Sequence, residues 1–297
     1  MNKVLFLSLA LFCCGLQMQA QTMTENEIMA KLNEASVLDN AKKTAEALDA
    51  FLLIGKNMEQ QRTEVEHQIY VYCQTKACKC YETLNRYEEA YLLAKKLIAG
   101  NLTEKEKKDV GHLYAMNGYM YATSFMHGDN RQLVKARTIL EEIMPYADGK
   151  VKEYALPKIS ESWFFEGAEY QLSQQYDKAL TCYQNALKGY QKLGKTKDEI
   201  SVLRHIAEIK GTLYDVAGSE DAYKQALVLA KQIGKTDVQM EILKELWKLG
   251  NRIGNVQQAQ TYAASIDSLV DVTADLQTKY TYYNQKGDEA KFLGQYG

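Results

Sequence analysis

Proline is almost missing from this chain: Pro145 and Pro157 are the only 2 in 297 residues. An interior proline removes a helix hydrogen bond and crowds the preceding turn, so its scarcity leaves long helices unopposed. Charge of one sign is missing too. The 36 basic and 38 acidic side chains leave a net charge of −2, which excludes the concentrated basic footprint of a nucleic-acid binder. Histidine is scarce, with His67, His112, His127 and His205 scattered along the sequence. No G-x-S-x-G, H-E-x-x-H, G-x-x-x-x-G-K-S/T or G-x-G-x-x-G stretch occurs, so no nucleophile elbow, zinc helix or phosphate loop is encoded in a familiar form. The acidic residues are spread along helical segments, where they are expected to solvate outer faces. The expectation is no enzyme, no cofactor and no metal.

Long apolar runs are confined to the N-terminus. Lys3 precedes Val4 to Leu16, an apolar stretch of 13 residues, short of the about 20 that a membrane-spanning helix needs. Met18-Gln19-Ala20 then places a small residue before a cut. This order is that of a secretory signal over 1–20, with Gln21 starting the mature chain. Cys13 and Cys14 open a lipoprotein alternative, although Phe12 and Cys13 stand before them where a small residue is wanted. An uncleaved anchor is a further alternative. No second apolar run of membrane length follows. The expected location is the bacterial periplasm, with no membrane span after cleavage.

Past the signal, 4 cysteines remain: Cys73, Cys78, Cys80 and Cys182. Cys73 and Cys80 are seven apart and share a helix face. They read either as a metal or redox site or as small buried helix residues, and no histidine stands at ligand spacing.

Self-similarity is the strongest positive signal. Leu193-Gly194-Lys195-Thr196 recurs 40 residues later as Ile233-Gly234-Lys235-Thr236, and Tyr183 and Ala186 recur as Tyr223 and Ala226. The clearest unit, Ser160 to about Gln191, holds Trp163, Gly167, Tyr170, Tyr176, Ala179, Tyr183 and Ala186. Two antiparallel helices that cross closely need small residues at the contact, here Gly167 and Ala179, with large ones beside them. Each hairpin buries only one side of itself, so neighbours must stack. The pattern resembles the tetratricopeptide repeat (TPR) at seven positions. One position departs, Glu166, where that family has Leu. Fainter units run over Gln74–Ile98, His112–Tyr146, 200–234 and Glu241–Leu269. The resemblance implies an all-α, right-handed solenoid of antiparallel helix pairs over 63–297, with 21–62 as a helical capping region. The period of 40 exceeds the family's usual value of about 34, which predicts lengthened helices and turns.

Tyr283, Gly287, Ala290 and Leu293-Gly294 match the first helix of one more repeat, and the sequence then ends at Gly297. The last repeat is therefore expected to be incomplete, the chain being either the N-terminal piece of a longer protein or a natural end in a half-repeat. The export signal followed by TPR units resembles the sensor regions of some bacterial TPR-bearing histidine kinases and regulators.

In the TPR family the first helices of successive pairs line a groove. Carried over one position at a time, the groove residues are Tyr72 and Lys79, then His112 and Tyr119, then Phe164, Ala168 and Gln171, then Arg204 and Glu208, then Lys244, Lys248 and Arg252. The last three stand at i, i+4 and i+8 and form one stripe, which is either a basic end of the groove or a solvated face. The implied partner is a protein or peptide, with an acidic segment facing that stripe. A stand-alone assembly adaptor is an alternative. So is a glycan or small-molecule binder that uses the 21 Tyr, 7 Phe and 2 Trp.

Overall fold

In a computed structural model, residues 23–61, 63–128, 130–272, 280 and 283–284 are described. The expected signal, 1–20, and most of the expected half-repeat lie outside them. Among the described residues there are twelve α-helices and no strand. They are α1 (Glu25–Asn40), α2 (Thr44–Asn57), α3 (Glu64–Thr83), α4 (Tyr87–Ile98), α5 (Glu104–Ser124) and α6 (Leu133–Ile143). After a short 3-10 turn follow α7 (Gly149–Leu172), α8 (Tyr176–Leu193), α9 (Thr196–Thr212), α10 (Val216–Gln232), α11 (Thr236–Arg252) and α12 (Val256–Val272).

The turns explain why the helices stop where they do. After α3, Asn85 adopts φ +57, and Arg86 N–H returns to Tyr81 O at 2.9 Å. Gln175 to Tyr170 (2.8 Å), Asp215 to Lys210 (2.9 Å) and Asn255 to Gly250 (2.9 Å) repeat this closure. One left-handed residue satisfies the orphan carbonyls of the helix end and reverses the chain in three residues. Gly194 and Gly234, the repeat pair seen in the sequence, take the same conformation at φ +62 and +65. The forty-residue period divides into 17-residue helices (α9, α10, α11 and α12) and three-residue turns. The expectation of lengthened turns is thus corrected for these units, because the closure admits no extra residue. The exception is the connection after α5. There Gln132 N–H donates to Phe125 O at 2.9 Å, and Lys135 stands 4.1 Å over the Phe125 ring.

The described residues fall into two compact units, those within Met1–Tyr121 together with Ile143–Val151, and those within Ala122–Glu142 and Lys152–Gly297. In the first, α1 and α2 carry Ile28, Ala35, Leu48 and Phe51 into a core shared with Tyr70, Cys73 and Ala77 of α3. Gly118 admits Ile143 and Tyr91, where an added Cβ would come within 2.5 Å of Ile143 Cγ2. Tyr91 stacks on Tyr114 at 5.4 Å. Cys73, Cys78, Cys80 and Cys182 are all buried free thiols. Burial pushes Cys73 and Cys78 up to about 12, far from the thiolate needed for ligation or redox work.

In the second unit, Gly167 of α7 lies against Tyr183 and Cys182 of α8, and Ala179 and Tyr183 are fully buried. The stack continues through Ile200, Leu203 and Ala207, then Tyr223 and Ala226, then Leu243 and Leu246. Two acidic residues depart from the expected solvated faces. Glu166 is held by Arg137 of α6 at 2.7 Å. Glu199 is buried on α9, and burial raises its carboxyl above the ordinary range. A raised carboxyl opposes folding once it is ionised. That cost is full above its folded value and disappears as pH falls through the ordinary carboxylate range. Glu199→Gln is therefore expected to raise the melting temperature at pH 7, with the gain shrinking toward pH 4. Paired thermal melts across that range check it, and a gain independent of pH would refute the assignment.

Candidate functional site

The sequence-derived groove positions divide between the two units. In the first, Tyr72 is 45% exposed on α3, its ring edge-on to Phe51 at 6.2 Å. Lys79 is exposed on the same helix and Tyr119 is half-buried on α5. His112 Nδ1 lies 3.1 Å from Asp148 Oδ1.

The second unit brings its positions together on the first helices α7, α9 and α11. Gln171 is the centre of a ladder between α7 and α9. Its Oε1 accepts from Tyr183 Oη at 2.7 Å and lies 3.2 Å from His205 Nδ1. Its Nε2 donates to Glu208 Oε2 at 3.4 Å. The His205 ring stacks on Tyr183 at 5.2 Å and meets Phe164 edge-on at 5.3 Å. Burial holds His205 below its ordinary value, with Glu208 opposing, which favours the neutral ring stacked on Tyr183. Ala168, one turn before Gln171, is half-buried on the same helix.

The ladder continues from α9 to α11. Arg204 Nη1 lies 2.9 Å from Glu241 Oε2. Lys244 is half-buried, and its ammonium is held down first by burial and then by Lys248. Lys248 is paired with Glu245 at 2.8 Å. The basic stripe is therefore interleaved with carboxylates. Sequence reasoning missed His205, Glu241 and Glu245 on this face. Their signal was available, since each lies beside or within one turn of a residue that was named. Beyond the ladder, a cleft of about 280 Å³ opens between α9, α10 and α11, with Lys248 and Arg252 in its lining. No cluster of three His, Cys, Asp or Glu suited to a metal occurs among the described residues, and no described helix is long and apolar enough to cross a membrane.

No protein-family model matches the sequence, and no curated protein matches it. Among solved structures, the apo form of RapI aligns over 90% of this chain and 84% of its own at 12% identity and a TM-score of 0.40. The C-terminal part of a TPR repeat-containing protein from Cytophaga hutchinsonii aligns over 82% and 96%, at 13% identity and a TM-score of 0.34. A signal-transduction ATPase with a tetratricopeptide repeat sensor from Pyrococcus horikoshii aligns over 89% of this chain and 42% of its own, at 16% identity and a TM-score of 0.40. The helix pairs themselves, packed closely at Gly167 and repeating every forty residues through α9–α12, make this an all-α fold of stacked antiparallel helix hairpins, similar to the tetratricopeptide-repeat structures above.

Proposed function

We propose that this chain is a non-catalytic scaffold whose first-helix face in the second unit binds a segment of another protein. The observation that carries the reading is the ladder from Phe164 and Gln171 through Arg204 and Glu208 to Lys244 and Lys248. Half-buried aromatic and amide groups meet a row of alternating charges there, a combination that offers both anchoring area and register. The partner segment is acidic where it passes Lys244, Lys248 and Arg252. We also propose, on the strength of Lys3, Val4–Leu16 and Ala20, that the protein works in the periplasm, where this face serves a sensory role.

Photo-crosslinking tests the face directly. A photoreactive residue at Ala168 on α7 is expected to capture a protein partner from the native envelope. The same residue at Val228, 54% exposed on the second helix α10, is expected to capture none. Equal capture at both positions sinks the assignment. Charge reversal of Lys244, Lys248 and Arg252 together should lower capture at Ala168 about tenfold, since rim charges set encounter and register. Capture of protease-resistant material would favour the glycan alternative.

A further inference from the structure

Hairpins α7/α8 and α9/α10 are one unit displaced by forty residues, and they differ behind the first-helix face. Tyr183 gives its hydroxyl to Gln171. Tyr223 is the repeat mate of Tyr183, and the mate of Gln171 is Gly211. With no side chain at Gly211, the Tyr223 hydroxyl makes no hydrogen bond among the described residues, and the space left over is the cleft between α9, α10 and α11. Burial, then Glu208 and Glu245, push the ionisation of Tyr223 up, so its hydroxyl remains a donor.

Arg252 reaches across the same opening. Its Nη2 stands 3.4 Å from where a Cβ on Gly211 would lie, and it has no carboxylate partner among the described residues. The other charges in the lining are engaged, Lys248 with Glu245 at 2.8 Å and Glu208 with Gln171 at 3.4 Å. The groups left without a partner are thus a phenol and a guanidinium. A guanidinium is suited to the two oxygens of a carboxylate, and the Tyr223 phenol on the other wall of the cleft can donate a further bond to the same group.

We propose that this cleft is a carboxylate-binding notch, created by the replacement of a repeat glutamine with Gly211 and furnished by Tyr223 and Arg252. The carboxylate is either that of an acidic side chain on the partner segment, in which case the source rests on the function proposed above, or that of a small free acid. Calorimetry on the full chain separates these. The probes are glutarate, an N-acetylated and C-amidated Ala-Gly-Glu-Gly-Ala peptide, and its Gln twin.

Gly211→Gln refills the notch with the neighbouring repeat's own amide while keeping Arg252 and Lys248, so non-specific attraction to anions is unchanged. It is expected to weaken glutarate or Glu-peptide binding about tenfold, the equivalent of one charge-assisted hydrogen bond. Tyr223→Phe, which keeps the shape, is expected to weaken it in the same direction, and melts confirm that both variants fold. Tighter binding of the Glu peptide than of glutarate assigns the site to a partner segment, and the reverse assigns it to a free acid. The notch is overturned if Gly211→Gln binds as the parent does, if the Gln peptide binds as tightly as both the Glu peptide and glutarate, or if no probe binds. Loss of crosslinking at Ala168 with notch binding intact would retire the protein-binding face and leave the notch standing.

Discussion

Arg137→Met is expected to destabilise the protein by about 3–5 kcal/mol, the cost of leaving a buried charge without its partner. The Arg137 and Glu166 side chains are 7% and 13% exposed. Nη2 of Arg137 donates to Glu166 Oε2 at 2.7 Å and Nη1 to Ser162 Oγ at 3.4 Å. The guanidinium lies 3.3 Å over the Trp163 ring, so its removal also strips a cation–π contact. The double variant Arg137→Met with Glu166→Leu should recover most of the loss, because a buried ion pair exchanged whole for apolar side chains of similar volume is often neutral. Urea denaturation of the two single variants and the double variant gives the coupling. A loss under about 1 kcal/mol for Arg137→Met would place the pair in solvent, where such bridges contribute little.

The second large effect is at the helix crossing. A Cβ on Gly167 would lie 2.9 Å from Cδ1 and Cε1 of Tyr183 and 3.3 Å from Cys182 Cβ. Tyr183 is fully buried and tied by its hydroxyl to Gln171, so it cannot swing away without losing that bond. Gly167→Leu therefore overpacks the crossing and is expected to cost about 1–3 kcal/mol or more. The strain should also be felt at the ladder, since Tyr183 carries the stacked His205 ring. A thermal melt should show a clear fall in midpoint. An unchanged midpoint would mean that α7 and α8 do not cross at this residue, and the repeat assignment would fail with it.

The same two positions show how far the sequence could be read. Gly167 was legible because a close crossing demands a small residue at a fixed distance from the large ones around it, and that spacing is local. Glu166 was legible only as a departure from the pattern. Its reason, Arg137, lies 29 residues earlier on a helix of the preceding hairpin, and no local periodicity announces such a pair. Groove positions followed the same division. Gln171, Arg204 and Lys244 could be placed on first helices through the resemblance to the tetratricopeptide pattern. That Gln171 joins Tyr183, His205 and Glu208, or that Glu241 answers Arg204, could not, because every charged residue on one helix has several candidate partners on the next.

By itself, then, the amino-acid sequence determined the helical hairpins, their forty-residue period and the small residues at their crossings. These follow from contacts within one turn or one hairpin, repeated until they stand out. Only the tertiary structure decided which charges are paired, that the extra length of the α9–α12 repeats goes into helices and not turns, and that the missing side chain at Gly211 opens a cleft beside Arg252. Those outcomes depend on how one hairpin stacks on the next, where distance and burial choose among partners that the sequence leaves equivalent.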